Sequence, residues 1–253
     1  MTGSPDPAGW QARRTSFGSV AADYAALRPG YPPGVVAFLL GPRPRRVLDL
    51  GAGTGLLTQV LVAAGHEVVA VDPAAPMLAQ LRARLPQVQA VVGDAERIPL
   101  RDASVDAVVA GQAAHWFRPE EAAPELRRVL RPGGVAGFVW NTRDERVPWV
   151  RALGAALARE ARGQEADQGI VQAFARALPA RVVHVESSVV QRVTPREVVA
   201  GIGTRSYVAT MDPANREAFL GGLADLLAGH PGTRGHAVLQ LPYRTDAYRL
   251  ELS

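Results

Sequence analysis

Short apolar runs alternate along the first part of the chain with segments whose apolar residues recur at helical spacing. The apolar runs predict buried strands at Val47–Leu50, Glu67–Asp72, Gln89–Val92, Val105–Ala110 and Val135–Trp140. The helical spacing predicts helices at Leu56–Leu61, Pro76–Leu81 and Pro119–Leu130, the last of them ended by the Arg131–Gly134 turn. Strands that alternate with helices in this way indicate a doubly wound α/β fold with a mostly parallel sheet.

The pattern after Trp140 predicts a second, more helical part. Helices are expected at Trp149–Ala161, Ile170–Leu178, Pro195–Ile202 and Pro213–Ala228, with a polar loop at Gly163–Gly169 and Asp212 as the cap of the last helix. Two further strands are expected at Arg181–Val190 and His236–Tyr243. The predicted sheet therefore has seven strands.

The N-terminal residues divide into an irregular segment and a helical lead-in. Residues 1–16 are polar and rich in proline and glycine without periodicity, which is typical of a flexible leader. Residues 17–253 are predicted to form a single domain. Its first helices are expected at Phe17–Leu27 and Gly34–Leu40, separated by the helix-breaking segment Arg28–Pro33.

A glycine-rich turn at Gly51–Gly55 joins the first strand to the first crossover helix. Glycine allows a positive φ and lets a ligand lie against the main chain, so the N–H groups of this turn are expected to face a ligand. A dinucleotide-binding loop would have a third glycine where this chain has Leu56. Asp49, at the end of the strand, would repel a pyrophosphate but could hold a cationic amine.

Polar residues follow the later strands at the edge where a parallel sheet binds ligands. Asp72 lies about 20 residues beyond the glycines, a spacing at which a carboxylate accepts hydrogen bonds from ribose hydroxyls. Asp72 could instead cap the helix that begins after Pro73. The segment Gly111–Phe117, after the fourth strand, is expected to lie near the reacting group.

Three motifs in order resemble those of the class I S-adenosylmethionine-dependent methyltransferases: the glycine turn with Asp49, the Gly93–Leu100 segment and the Leu126–Gly134 segment. The resemblance extends from Phe17 to Trp140. Within the family, the chain is similar to the small-molecule group of trans-aconitate and quinone-pathway enzymes. It implies a Rossmann-like sheet of seven strands, mostly parallel with an antiparallel last strand, and a helical lid. Residues 17–140 would hold the cofactor, and residues 141–253 would form the substrate cover and closing strands.

The resemblance also implies roles for individual residues. Asp49 would hold the amino group of S-adenosylmethionine, Asp72 its ribose and Asp94 its adenine. The cofactor-binding residues expected on this basis are Tyr24, Arg28, Asp49, Gly51, Ala52, Gly53, Asp72, Pro73, Met77, Asp94, Ala95 and Gln112. For Tyr24 and Met77, ordinary packing in a helix is the alternative.

The acceptor is expected to be a small molecule, methylated on a carboxylate or hydroxyl oxygen. His115 is the candidate general base, with a structural histidine beside Trp116 as the alternative. Arginines can bind a carboxylate in bidentate fashion, and Arg28, Arg143 and Arg205 are the candidates, with an ordinary surface position as the alternative for each. Arg205 next to Tyr207 could bind an anionic or aromatic group, although Tyr207 could also be a packing residue. The substrate-binding residues expected are Tyr31, His115, Trp116, Trp140, Arg143, Trp149, Arg205 and Tyr207.

Composition narrows the classes of protein. The 253 residues contain no cysteine, which excludes disulfides, thiolate metal sites and a cysteine nucleophile, and we expect no metal. The net charge of +4 comes from dispersed arginines, with no lysine, so we expect no nucleic-acid partner. No apolar run reaches membrane-spanning length, which indicates a cytoplasmic monomer or homodimer without a membrane partner.

Two other functions stay open at this point. The protein could bind the cofactor without methyl transfer, as a cyclase or a non-catalytic binder, because a fold fixes the cofactor site more firmly than the acceptor site. A nucleotide-binding oxidoreductase is the other alternative, disfavoured by Leu56 and Asp49.

Overall fold

A computed structural model describes residues 27–157, 164–205, 208 and 210–252 of the chain. Its strands are β1 (Arg46–Leu50), β2 (Glu67–Asp72), β3 (Gln89–Val92), β4 (Val105–Gly111), β5 (Leu130–Arg143), β6 (Ala180–Val193) and β7 (Leu239–Leu252). Its longer helices are α1 (Pro33–Leu40), α2 (Leu56–Ala63), α3 (Ala75–Arg84), α4 (Pro119–Val129), α5 (Pro148–Ala156), α6 (Gln164–Ala177), α7 (Pro195–Gly203) and α8 (Pro213–Gly229). A single 3₁₀ turn, Ala114–Trp116, follows β4.

The strands form one seven-stranded sheet in the order β3-β2-β1-β4-β5-β7-β6. Strands β1 to β5 pair in parallel, whereas β7 runs antiparallel to both of its neighbours, β5 and β6. The order reverses at β1 and β4, so a crevice opens beyond the carboxyl ends of these two strands. The predicted doubly wound fold with an antiparallel last strand is confirmed.

The sheet buries both of its faces. On one face, residues such as Leu48 and Phe138 pack with α4 and α6, and on the other face Val47 and Val139 pack with α1 and α2. This explains why the first strands read as continuous apolar runs, since neither side of a central parallel strand meets water. None of the described helices is long and apolar enough to cross a membrane.

A third apolar cluster lies beyond the end of the sheet. It is built from α5, α7 and α8 together with Val193 at the end of β6 and Leu239, Leu241 and Tyr243 at the start of β7. These elements form a cap over the carboxyl edge of the sheet. The predicted cap is confirmed, since Asp212 accepts hydrogen bonds from Ala214 N and Asn215 N. Thr194 with Glu197 forms a capping box on α7 that sequence analysis did not predict.

The prediction of a polar loop at Gly163–Gly169 is wrong for residues 164–169, because helix α6 begins at Gln164. Asp167, Val171, Phe174 and Leu178 are buried at helical spacing, so the polar residues of this segment form the exposed side of an amphipathic helix. The neighbouring helix, predicted to reach Ala161, ends at Ala156. Residues 158–163 lie outside the described part of the chain, as do the predicted leader and nearly all of the predicted Phe17–Leu27 helix.

The last strand also differs from the prediction. It begins at Leu239 rather than His236 and continues to Leu252, well beyond the predicted end at Tyr243. Pro242 lies within this strand, but β5 pairs with β7 only from Tyr243 onward, so the missing N–H of Pro242 costs no hydrogen bond in that ladder. Strand β5 begins earlier than predicted, because Leu130 already pairs with Val105 before the Arg131–Gly134 turn.

Candidate active site

The glycine turn after β1 is held tightly between neighbouring segments. Gly51, Gly53 and Gly55 all have positive φ, at 72°, 55° and 87°. A Cβ atom on Gly51 would lie 2.5 Å from the Cβ of Ala113, whereas one on Gly53 would meet nothing within 4 Å. Gly51 is therefore required both by its conformation and by the approach of the segment after β4, and Gly53 by conformation alone.

The N–H groups of this turn do not point into the crevice as the sequence led us to expect. Gly51 N and Ala52 N both donate to Val71 O, at 2.8 and 3.1 Å, and Gly55 N donates to Ala52 O. Gly53 N donates to Asp72 Oδ2 at 2.8 Å. The expectation is wrong because the turn folds back on the end of β2, which uses these donors. An anion cradle of the phosphate-binding type is not formed by these groups.

Asp49 is a fully buried carboxylate at the end of β1. Its Oδ2 accepts a hydrogen bond of 2.6 Å from Thr58 Oγ1 on α2, and its Oδ1 has no partner among the described residues. Burial raises the pKa of Asp49 to about 7, the Thr58 hydrogen bond opposes this and the Asp72 charge adds to it. A buried carboxylate oxygen without a donor fits a cationic group of a ligand, and the ammonium of S-adenosylmethionine is such a group.

Asp72 ends β2 and uses both carboxylate oxygens in local structure. Oδ2 accepts from Gly53 N, and Oδ1 accepts from Ala74 N at 2.8 Å. The residue thus ties the glycine turn to the start of α3, although Ala74 and not Asp72 is the N-cap. Each carboxylate oxygen has a second lone pair, so ribose binding by Asp72 stays a prediction that this geometry allows.

A cavity of about 920 Å³ lies over the carboxyl edge of the sheet. Its lining includes every described residue that we predicted for the cofactor: Arg28, Asp49, Gly51, Ala52, Gly53, Asp72, Pro73, Met77, Asp94, Ala95 and Gln112. It also includes six residues predicted for the acceptor: Tyr31, His115, Trp116, Trp140, Arg143 and Arg205. Tyr24 and Tyr207 lie outside the described residues. The structure therefore gathers residues from distant parts of the chain around one space.

The N-terminal segment is fixed at this edge by Asn141, a buried residue near the end of β5 that sequence analysis missed. Asn141 Nδ2 donates to Gly30 O at 3.0 Å, and Thr245 Oγ1 donates to Asn141 Oδ1 at 2.6 Å. The Tyr31 hydroxyl then lies over Gly111, where an added Cβ would come within 2.6 Å of it. Gln112, at φ 54°, donates its side-chain amide to Asn141 O.

His115 contacts a tryptophan through one ring nitrogen. The indole Nε1–H of Trp140 lies 3.4 Å from His115 Nδ1, and the rings of His115 and Trp116 are 5.0 Å apart. Because an indole nitrogen only donates, Nδ1 is the acceptor and the neutral imidazole carries its proton on Nε2. In this tautomer His115 can donate a hydrogen bond from Nε2. A role as general base stays a prediction.

Tyr243 is the centre of a cluster of positive charge that sequence analysis only partly anticipated. It is buried, lines the cavity and is the direct cross-strand partner of Arg143. Burial raises the pKa of the Tyr243 phenol, and the charges of Arg143, Arg205 and Arg28 act against this rise. The three arginines considered as carboxylate ligands line the cavity together with Tyr243, and their charges act on its hydroxyl, which stays protonated near neutral pH.

Trp149 is the exception among the described residues predicted for the acceptor. It is buried in the third apolar cluster and does not line the cavity. Trp149 lies at the start of α5, and its side chain packs inside the cap beside Gly232. The assignment of Trp149 to the substrate is corrected to one of packing, since an aromatic in a helix contributes most to stability when it is buried.

Three functional side chains escaped the sequence analysis: Thr58, Asn141 and Tyr243. The sequence contained a weak indication of a functional position for two of them. Asn141 directly follows a predicted strand at the ligand-binding edge, and Tyr243 continues the apolar alternation of Leu239 and Leu241. Thr58 carries no such signal, because its role depends on how α2 folds back over β1.

The structure combines three features: a doubly wound sheet with one reversed strand, a glycine turn, and a buried acid at the switch point of the sheet. Together they define the class I methyltransferase architecture, whose cofactor is S-adenosylmethionine. Comparison with known proteins agrees. The family model of the methyltransferase domain matches residues 48–138. An uncharacterized methyltransferase of Mycobacterium tuberculosis is 46% identical over 241 residues, which cover 94% of this chain and 96% of the relative.

Two further similarities are informative. A malonyl-[acyl-carrier protein] O-methyltransferase of Methylococcus capsulatus is 45% identical over 134 residues, which are 49% of each protein. A solved structure from Anaeromyxobacter dehalogenans, assigned to the type II methyltransferases, superposes with a TM-score of 0.65 at 28% identity and covers 89% of this chain and 97% of that one. The chain belongs to the S-adenosylmethionine-dependent methyltransferase family and is an enzyme of that family.

Proposed function

We propose that this methyltransferase transfers a methyl group to a carboxylate oxygen of a small molecule. The observation that carries the proposal is the convergence of Arg28, Arg143 and Arg205 around Tyr243 in the cavity wall. Guanidinium groups bind carboxylates through paired hydrogen bonds, and the protonated phenol adds a donor. The Methylococcus capsulatus relative, which by its name is an O-methyltransferase of malonyl-[acyl-carrier protein], supports an oxygen as the methyl acceptor.

Within the proposal the two parts of the chain have different tasks. Apart from Arg28, residues up to Trp140 hold the cofactor, with Asp49 at its amino group, Asp72 at its ribose, and Asp94 and Ala95 at its adenine. Residues 141–253 cover the acceptor. When bound, S-adenosylmethionine supplies a sulfonium methyl group, and transfer to a carboxylate oxygen gives a methyl ester and neutral S-adenosylhomocysteine without release of a proton.

The protein's own contribution is to align the acceptor and to exclude water. A carboxylate is already ionised at neutral pH, so no general base is needed and the His115 tautomer with the proton on Nε2 suits the reaction. Arg244, which also lines the cavity, pairs with the buried Asp246 at 3.0 Å. The cluster around Tyr243 is our candidate for the carboxylate because it places three guanidinium groups and a protonated phenol in one wall of the cavity.

The test is turnover with a panel of carboxylic acids and matched alcohols, monitored as S-adenosylhomocysteine formation. We expect a product whose methyl group is released by mild base, as an ester requires. A base-stable methyl ether as the sole product would show that the acceptor is a hydroxyl and would overturn the proposal.

Once an acid is turned over, Arg143→Gln and Arg205→Gln should each raise its KM at least tenfold, because a charge-assisted hydrogen bond contributes about 1.5–3 kcal/mol. Cofactor affinity, measured by calorimetry, should change less than about twofold if the two parts of the chain act separately. The control is Arg192→Gln, since Arg192 is exposed on β6 and does not line the cavity. Loss of cofactor binding in folded Arg205→Gln protein would contradict the division of tasks.

A further inference from the structure

The cavity continues beyond Tyr243 into the cap, and its wall there is apolar. The described residues that line this part come from α5, α7, the end of β6 and the start of β7: Leu153, Leu157, Val193, Val198, Ile202 and Leu241. We call this part of the cavity the cap chamber. All six side chains belong to the third apolar cluster, so the chamber is an opening in the core of the cap.

Two charged residues at the rim of the cap chamber, Arg151 and Glu197, are engaged in local structure. Arg151 Nε donates to Glu145 O at 3.0 Å, and Glu197 forms the capping box of α7 with Thr194. One polar group stands out: Gln191 Oε1 is buried and has no hydrogen-bond partner among the described residues. The chamber thus offers a wide apolar surface and little charge to an occupant.

The cavity is large for a ligand-binding site. Its volume of about 920 Å³ lies near the upper end of the roughly 300–1,000 Å³ that is usual for a site holding a single drug-sized ligand. The glycine turn, Asp72 and Met77 line the cavity at β1, β2 and α3, whereas the cap chamber is lined by α5, α7 and the ends of β6 and β7. Tyr243 pairs with Arg143 at the end of β5, and Leu241 lies two residues farther along β7, beyond the end of that ladder, so Tyr243 marks the start of the chamber.

We propose that the acceptor is an aliphatic carboxylic acid, held by its carboxylate at Tyr243, Arg28, Arg143 and Arg205 and by its hydrocarbon chain in the cap chamber. The inference rests on the proposed carboxylate methylation and adds the class of acid. A chain without charge suits the six apolar side chains, because transfer of each methylene from water to an apolar site is favourable. A second carboxylate at the far end would be desolvated without a partner and is selected against.

Tyr243 is a specificity-determining residue in this arrangement. It belongs to the third apolar cluster and also faces the three arginines, so its ring meets the chain and its hydroxyl donates to the carboxylate. Tyr243→Phe should keep the ring and the fold but weaken acid binding about tenfold, while cofactor affinity is unchanged. Equal acid affinity of Tyr243→Phe and the wild type would show that the hydroxyl does not contact the carboxylate.

The decisive experiment is a chain-length series on the wild-type protein. Straight-chain monocarboxylic acids from butanoic to dodecanoic acid are titrated by calorimetry into the protein saturated with S-adenosylhomocysteine. We expect the dissociation constant to fall about threefold to fourfold per added methylene until the chamber is full. The matched dicarboxylic acids should bind at least tenfold more weakly. Affinity that does not depend on chain length, or a preference for the dicarboxylic acids, would overturn the inference.

A variant that narrows the cap chamber provides a second test. Val198→Phe should shift the best acid to a shorter chain and leave affinity for the shortest acids unchanged. The control is Val190→Phe, because Val190 is 51% exposed on β6 and lies away from the chamber. An unchanged chain-length profile in folded Val198→Phe would place the chain elsewhere and contradict the inference.

The outcomes separate this inference from the proposed function. Chain-length-dependent binding without ester formation would support the chamber and refute carboxylate methylation. Ester formation from acids of every length with equal KM would support carboxylate methylation and refute the chamber.

Discussion

At the scale of single residues, Asp49 shows how one buried acid can favour one ligand over another. It lines the crevice, but its side chain is fully buried and its Oδ1 lacks a hydrogen-bond donor among the described residues. In the free protein the cost of burying a charge raises its pKa to about 7. A cationic ligand group would remove that cost, whereas an anionic pyrophosphate would increase it.

We expect cofactor affinity to depend on pH through Asp49. The folded-state pKa of about 7 lies above the ordinary value of 3.8, so the stability that protonation of this group confers on the free protein is lost as pH rises from about 3.8 to about 7. A ligand ammonium favours the ionised carboxylate. The dissociation constant of the cofactor should therefore fall between about pH 5.5 and about pH 7, by up to about tenfold per unit at the acid end.

Calorimetry in buffers of different ionisation enthalpy measures the proton that Asp49 releases on binding. Asp49→Asn removes the titrating group with little change of shape, so this proton release should disappear and affinity at neutral pH should drop tenfold or more. Wild-type affinity that is constant over this pH interval would show that Asp49 does not meet the ammonium.

Gly51 and Gly53 form a matched pair for testing the glycine turn. Each has a positive φ, which costs an alanine about 1–2 kcal/mol. Only Gly51→Ala would also bring a Cβ to 2.5 Å from Ala113. We expect Gly51→Ala to lose at least about 1 kcal/mol more stability than Gly53→Ala in urea unfolding, because overpacking is added to strain.

Cofactor affinity should likewise fall further in Gly51→Ala than in Gly53→Ala. Gly51→Ala displaces the segment after β4 that closes the crevice, while Gly53→Ala leaves it in place. Equal losses in both variants would mean that conformation alone, and not the contact with Ala113, makes glycine necessary at position 51.

At the scale of elements, two features position the cap: the capping box at the start of α7 and the long pairing of β6 with β7. These strands pair over fourteen positions, from Ala180 with Leu252 to Val193 with Leu239. The pair delivers Gln191 and Val193 on one strand and Leu241 and Tyr243 on the other to the cavity. Helix α7 starts directly after β6, so its start determines where Val198 and Ile202 lie.

The capping box of α7 should therefore contribute measurably to stability. Thr194 Oγ1 accepts from Glu197 N at 3.2 Å, and Glu197 Oε2 accepts from Thr194 N at 2.7 Å. Thr194→Ala should cost about 1 kcal/mol, detected as a lower Tm. Ser188→Ala, at an exposed position on β6, is the control and should be nearly neutral. A neutral effect of Thr194→Ala would show that α7 is held by packing alone.

At the scale of the whole molecule, the positive charge is distributed without a continuous basic surface in the described residues. Many arginines pair with acids there, as in Arg128 with Glu125 and Asp102, Arg131 with Asp106 and Arg181 with Glu251. Three further arginines, Arg28, Arg143 and Arg205, line the cavity together with Tyr243. In the proposed function these charges bind a small anion.

Nucleic-acid binding should accordingly be weak. We expect dissociation constants in the micromolar range or weaker for duplex and single-stranded DNA at physiological salt, with a steep loss as salt increases. Fluorescence anisotropy over a salt series measures this. Submicromolar binding that resists salt would indicate a nucleic-acid substrate and contradict the small-molecule assignment.

The sequence by itself determined most of the framework around the cofactor. The strands that carry Asp49, Asp72 and Gln112 were predicted within one or two residues, because buried parallel strands are continuous apolar runs and glycine marks the turn between them. The motif order gave the class of enzyme. These are local signals, and neighbouring residues in the chain are enough to produce them.

Only the tertiary structure decided which side chains meet. Arg28, Arg143, Arg205 and Tyr243 come from four separate segments, and their convergence depends on the register of β5 with β7 and on the position of α7. The same register turned Trp149 away from the cavity, and the folding of the glycine turn onto Val71 used the N–H groups that sequence had assigned to a ligand. Such contacts are long-range, so no local pattern of residues could specify them.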